Sequence, residues 1–335
     1  MTLRIHFTAE DLARTRLASG VRPLLELDIG IRLLQERSHP ARFDAWRRRT
    51  APRLPQRLAP LFDLIPALGA SADFLDLHRA EDPDDFQDRL CSTPVRRLTE
   101  DLDRWAAGLA HVPRSVRRLR QDTALVRDLA EAVHTAHGLL VAPYWPRIEQ
   151  LAGADRALRL GHLAEHGIER LLSELNPRYI TWTSPVLHLT TASRRDGDIH
   201  LAGRGLLLIP TVFGSHYPAY DLPDDGQPWI TFPVRDSAHA TTAPAAVTAG
   251  VLAEAPSSLR ALLGRTRATV LWVIAEHTGC TTTQLAARAR VSPASASEHA
   301  SVLRRAGLTT LTRDGRSARH AVSPAGHALL ASSGT

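Results

Sequence analysis

Between Thr281 and Val322 the chain carries short polar and cationic side chains at helical spacing. Thr282, Ser292, Ala294, Ser295, Ser297, Glu298 and Ser301 come first, then Arg304 and Arg305, then Arg313, Arg316 and Arg319. Hydroxyls and a carboxylate on one helix face suit base edges, and Glu298 is able to accept from cytosine N4. Guanidiniums beside them pair with phosphates and release counterions. The chemistry implied is non-covalent reading of double-stranded DNA. The plainer alternative is a two-helix packing unit with a solvated basic face.

The elements that must position these groups are legible. Thr281 and Gln284 are spaced as a capping box, which opens a helix over 282–289. Val291 and Ser292 make a tight turn, with Ser292 as N-cap and Pro293 at the first helical position. A second helix from Pro293 to Arg305 stops at Gly307, a glycine suited to the position after a helix. Leu285, Ala286, Val291, Ala296, Ala300 and Leu303 fill the angle between the two helices. Two strand-like runs, 308–313 and 317–322, join at Asp314-Gly315, a hairpin dipeptide. Helix, turn, helix and ribbon in this order is the layout of a winged helix-turn-helix.

Residues 259–326 resemble the DNA-binding domain of ArsR-type winged-helix regulators. The motif VSPASASEHASVLRRAGLTTLTRDGRSARHAVSP carries the likeness through Ser292, Ser297, His299, Leu303, Arg304, Ala306, Gly307, Leu308, Gly315 and Arg316. Ala300 stands where a larger aliphatic residue is usual, and His320 where an aromatic is usual. The likeness covers about a fifth of the chain. It implies a homodimer that sets two recognition helices in successive major grooves of a near-palindromic operator, and repression by blocking a promoter. Members of the family often sense metals through paired thiolates, which a soft ion requires. Here Cys280 stands alone, and after Pro324 there is one histidine, His327, and no acid. No metal and no cofactor is therefore expected.

Charge is unevenly distributed. All 41 basic residues are arginine. From Pro256 onward ten arginines face three acids, whereas the preceding residues are nearly balanced. That asymmetry points to a polyanion as partner of the C-terminal region. Two distant cysteines, Cys91 and Cys280, fit a reducing compartment, and no run approaches the roughly 20 apolar residues that span a bilayer. The N-terminus lacks the features of a signal peptide, so the expectation is cytoplasmic, with no membrane partner.

The fold class expected is α+β: a large, mostly helical N-terminal domain with a small antiparallel sheet, then the winged helix-turn-helix. Residues 1–175 form the helical region. Leu3–Phe7 is expected as an edge strand, Thr8 and Asp11 as a capping box, and 148–175 as one long helix that Gly161 is able to interrupt. Residues 176–240 are the β-rich part, read as a meander of about five strands over 179–183, 186–191, 199–201, 206–212 and 229–234, with Asp196-Gly197 as a turn. Residues 241–256 connect, with 244–255 able to be helical. Residues 257–328 form the DNA-binding domain, opened by a helix over 257–277.

Other constellations read more weakly. His134 with His137 and His162 with His166 have metal-compatible spacing but lack further ligands. Gly203-Arg204-Gly205 lacks a phosphate-loop or dinucleotide fingerprint and reads as a turn. No nucleophile elbow is present, and no enzyme is expected. Aromatics crowd into the β-rich part, so Trp182, Tyr217 and Trp229, with Arg204 as an anion contact, are candidates for a small-molecule effector pocket. They serve equally as core. The sequence therefore predicts a sequence-specific transcriptional regulator whose N-terminal domain dimerises or senses an effector. The alternative keeps the DNA-binding domain and makes the large domain an enzyme or a protein-docking module.

Overall fold

The computed structural model describes residues 2–36, 40–109, 111–121, 125–176, 179–191, 196–214, 217–223, 225–234, 255, 257–277, 280–314 and 317–332. The fold is α+β, mostly helical, with three small sheets among the described residues. The chain divides into two compact units. The first holds Met1–Glu36 and Thr50–Ser237; the second holds Arg37–Arg49 and Ala238–Thr335.

The first unit opens with β1 (Thr2–His6), α1 (Ala9–Arg14), β2 (Arg16–Leu17) and α2 (Pro23–Gln35). Helix α3 (Pro40–Thr50) follows in sequence, but its residues as far as Arg49 belong to the second unit. Then come α4 (Ala59–Leu64), α5 (Pro83–Ser92), α6 (Val95–Ala107), α7 (Arg114–Gln121), α8 (Leu125–Leu140) and α9 (Trp145–Ser173). Thr8 and Asp11 form the capping box that starts α1, and the Asp11 carboxylate also accepts from the Gly205 amide. Burial alone would raise the Asp11 pKa, but the Thr8 hydroxyl and the Thr8, Gly205 and Gly203 amides outweigh it and hold it below the usual range. Helix α2 is apolar nearly all round because it is buried nearly all round, from Leu24 to Leu33. Its buried Glu26 accepts from the amides of Val212 and Phe213 at 2.6 and 2.9 Å. Helix α9 stays helical through Gly161 and breaks at Gly167, which has φ 77° and ψ 179°. The interruption expected at Gly161 therefore falls six residues later, at Gly167; a glycine within a helix is tolerated at a cost of about 1 kcal/mol.

The strands are β3 (Ile180–Thr183), β4 (Val186–Thr190), β5 (Gly197–His200), β6 (Leu207–Thr211), β7 (Tyr220–Asp221) and β8 (Trp229–Pro233). Their partners differ from the expected meander. Two mixed four-stranded sheets form, ordered β3-β4-β1-β5 and β2-β6-β8-β7. Strand β1 is not an edge: it runs antiparallel to β4 and parallel to β5. The N-terminal strands β1 and β2 thus each join a sheet whose other strands lie far along the chain, a pairing that no local pattern records. Gly197 is the first residue of β5, opposite Leu3, rather than a turn residue. The alternation in β1 and β4 turns Leu3, Ile5, Leu187 and Leu189 into a core shared with Leu171, Leu172, Leu206, Leu208 and Phe232. Gly203-Arg204-Gly205 is a tight turn. Gly203 and Gly205 have φ of 79° and 66°, and a Cβ on Gly205 would lie 2.6 Å from the Arg14 carbonyl carbon.

In the second unit the C-terminal region consists of helices with a small antiparallel sheet. Its elements are α10 (Ser257–Leu263), α11 (Arg265–Glu276), β9 (Cys280–Thr281), α12 (Thr282–Ala289), α13 (Pro293–Arg305), β10 (Thr309–Asp314), β11 (Ser317–Val322) and α14 (Pro324–Ser332). The single helix expected over 257–277 is divided at Gly264, which has φ 79°. The sheet order is β10-β11-β9, with β9 supplying a short third strand that the sequence reading lacks. Leu259, Val270, Leu271, Ile274, Leu285, Ala286, Ala296, Ala300 and Leu303 make one core. Each fully buried leucine there contributes about 1.5–3 kcal/mol. The helix expected at 244–255 lies outside the described residues except for Ala255, which is buried.

Candidate nucleic-acid interface

Local chemistry fixes the start of each helix that would carry the interface. The Thr281 hydroxyl accepts from the Gln284 amide at 3.3 Å, and the Gln284 side chain accepts from the Thr281 amide at 3.0 Å. Helix α12 ends at Arg290 in the left-handed region, φ 55° and ψ 44°, where glycine is usual. The Val291 amide then reaches back to the Ala286 carbonyl at 3.1 Å. Ser292 restarts the chain as N-cap, its hydroxyl accepting from the Ser295 amide at 3.2 Å. Helix α13 ends at Gly307, φ 74°, with the Leu308 amide bonded to the Leu303 carbonyl at 2.9 Å.

Helix α13 is two-sided. Ala296, Ala300 and Leu303, at i, i+4 and i+7, are buried among residues of α11 and α12. Small alanines at two of these positions allow close approach of the helices. Ala294, Ser297, Glu298, Arg304 and Arg305 are exposed, and Ser295 and Ser301 are half-buried. Ser292 is exposed, but its hydroxyl is committed to the cap. Thr282 differs from the rest: half-buried, its hydroxyl lies 3.0 Å from His320 Nε2. In the ribbon, β10 and β11 pair from Thr309 opposite Val322 to Asp314 opposite Ser317. Arg319 is exposed on β11. Arg313 lies on β10, with a side chain outside the described residues, as are Gly315 and Arg316 altogether.

His320 joins the sheet to α12. It is buried, stands opposite Cys280 in β9 and Leu311 in β10, and meets Thr282. Burial, and then the nearby Arg304 charge, hold its imidazole below the usual histidine range. Cys280 is buried, which pushes its thiol up to about 11. A thiol in that state is a poor nucleophile. Sequence reasoning also passed over Arg288, exposed on α12, and the exposed Arg48 and Arg49 on α3. The basic run at Arg47–Arg49 is visible in the sequence, but nothing local assigns it to the second unit.

The first unit holds a separate cavity of about 730 Å3, lined by parts of α2, α6, β7 and β8 and by residues 67–73, 75–79, 217–219 and 222. Tyr217 and Trp229 line it; Trp182 and Arg204 do not. Trp182 packs edge-on against Phe7 at 5.3 Å, and the Arg204 guanidinium donates to the carbonyl of Leu201 beside it and to that of Pro223 beyond β7. Beside Trp229 stand Asp221, its direct cross-strand neighbour, and His78, whose ring lies 4.8 Å from the indole. His78 approaches Asp76 at 2.9 Å and Asp221 at 3.4 Å. Asp76 takes the sparsely populated φ of 27°. These three residues carry no sequence signal, because they come from a loop and a two-residue strand. His162, spaced to share a metal with His166, instead contacts Glu174 at 2.9 Å. Among the described residues no group of three or more His, Cys, Asp or Glu is arranged to hold a metal ion, and no helix is long and apolar enough to cross a membrane.

No family model matches the chain, and neither a curated protein nor a solved structure matches it.

Proposed function

We propose that the chain is a sequence-specific DNA-binding transcriptional regulator, a repressor acting as a homodimer, and that its C-terminal region is a winged helix-turn-helix of the ArsR type. The observation that carries this reading is α13. Its buried face is fixed by Ala296, Ala300 and Leu303, which leaves Ser297, Glu298, Arg304 and Arg305 exposed on a rigid, capped helix. Charge supports the same reading. The second unit, with Arg37–Arg49 included, has fifteen arginines against five acids, a balance of +10. The first unit has 26 arginines against 30 acids, a balance of −4. A cationic body with short polar side chains on an exposed helix suits a duplex. In this reading α13 enters the major groove, and the β10–β11 ribbon lies along the backbone. Two copies would then meet half-sites roughly 10 bp apart or a multiple of it.

A mobility shift of the full chain on its own upstream DNA, against unrelated DNA of equal length, tests the reading. The expected preference is roughly a thousandfold at physiological salt. Arg304→Ala should weaken binding to both DNAs alike and lower the salt slope by about one. Glu298→Ala should instead change the preferred base at one position, by about 1–3 kcal/mol of discrimination. Equal binding to both DNAs, lost steeply with salt, would leave a non-specific DNA-coating unit and refute the regulator.

A further inference from the structure

We infer that the cavity of the first unit is a binding site for a small organic cation, an aromatic ring carrying a primary amine. Asp221 would receive the ammonium and Trp229 the ring. The inference concerns the first unit alone and does not rest on the DNA-binding reading.

The volume of about 730 Å3 is that of a small-molecule site. Six carboxylates and four guanidiniums line it, so the wall is net anionic. Three of the guanidiniums are already engaged. Arg32 donates to Asp28, Ser71 and the carbonyls of Pro66 and Gly69; Arg104 is paired with Asp101 at 3.0 Å, and Arg79 with Asp76 at 3.0 Å. The fourth, Arg97, is exposed. Anion-binding capacity in the cavity is therefore largely used up within the protein.

Asp221 is in the opposite condition. The nearest nitrogens are those of the His78 ring at 3.4 Å and the Arg79 guanidinium at 3.8 Å, beyond good hydrogen-bond length. It stands directly across the β7–β8 pair from Trp229, so carboxylate and indole share one sheet face. Trp229 is 7% exposed and lines the cavity. Tyr217, 40% exposed, stands edge-on to Tyr179 at 5.0 Å and supplies a second aromatic wall. A carboxylate beside aromatic side chains is the arrangement that receives an aryl-alkylammonium: charge pairing for the ammonium, ring against ring for the aryl group. His78 lies on Trp229 and between Asp76 and Asp221, which makes it a positioning residue for both halves.

Titration calorimetry of the full chain with tryptamine, indole and indole-3-acetate separates ring from charge, because the ring is constant and the side-chain charge changes. Tryptamine should bind one per chain, at least tenfold tighter than either of the others. Asp221→Asn, nearly isosteric and part-exposed, should reduce tryptamine to the level of indole. Tyr217→Leu, at a residue open to solvent, should weaken tryptamine several-fold and serves as a second site-specific variant if the first fails to fold. No saturable binding of tryptamine, equal or tighter binding of indole-3-acetate, or undiminished tryptamine binding in these variants would each overturn the inference.

Discussion

His320 shows how a single residue ties a sheet to a helix. An aromatic ring would fill its site between β11 and α12 by packing alone. The imidazole also reaches the Thr282 hydroxyl at the first turn of α12. That geometry is maintained with a neutral ring, because burial disfavours the charged form. A histidine whose folded pKa lies below its unfolded value of about 6.5 binds fewer protons when folded. Its contribution to stability is complete above the unfolded value and is lost as pH falls through about 6.5 toward the folded value. Urea unfolding at pH 7.5 and 5.5 should therefore show a loss of up to about 1.4 kcal/mol per pH unit that His320→Phe lacks. An equal loss in the variant would place the pH dependence elsewhere. At this scale the sequence was informative where chemistry is local. Thr281 with Gln284, Thr8 with Asp11, and Ser292 all cap as their spacing implies. The partner of Thr282 is not legible locally, because it lies 38 residues away and on another element.

Elements were legible where their own residues determine them. Helices α2, α12 and α13 follow from N-terminal signals and apolar spacing, and most strands fall within a residue or two of the expected runs. Strand partners were not legible, since β1 pairs with residues nearly two hundred positions away. Close approach was equally hidden. Gly326 sits in the first turn of α14, and a Cβ there would come 2.1 Å from the Leu308 carbonyl oxygen and 2.7 Å from Val322 Cγ1. Gly326→Ala would push α14 off the end of the β10–β11 ribbon, at a cost of about 1–3 kcal/mol. Gly153, in α9, has nothing within 4 Å of the added methyl. Gly153→Ala should stabilise by up to about 1 kcal/mol through helix propensity. Melting temperatures moving in opposite directions for the two variants check both statements together; a neutral Gly326→Ala would show that α14 packs more loosely than described.

For the whole molecule, the notable feature is the assignment of Arg37–Arg49 to the second unit. The sequence shows a basic amphipathic helix there but not where it belongs. Phe43 and Trp46 on it are both almost fully buried. A fragment of residues 238–335 lacks this helix and should be less stable than the same unit in the intact chain. A peptide of residues 37–50 added in excess should raise the fragment's melting temperature, by an amount that grows with peptide concentration; about 2.7 kcal/mol is expected at a hundred times the dissociation constant. A fragment that melts unchanged with or without peptide would argue that α3 is dispensable. The same connectivity bears on synthesis. The 188 residues of 50–237 separate Arg49 from the remainder of its unit. At roughly 5–20 residues per second, α3 leaves the ribosome roughly ten to forty seconds before that remainder begins to emerge. Throughout that interval Phe43 and Trp46 lack the rest of their unit, so a nascent chain is most exposed to chaperones and to aggregation at its first fifty residues, well before the segment that would bind DNA has been translated.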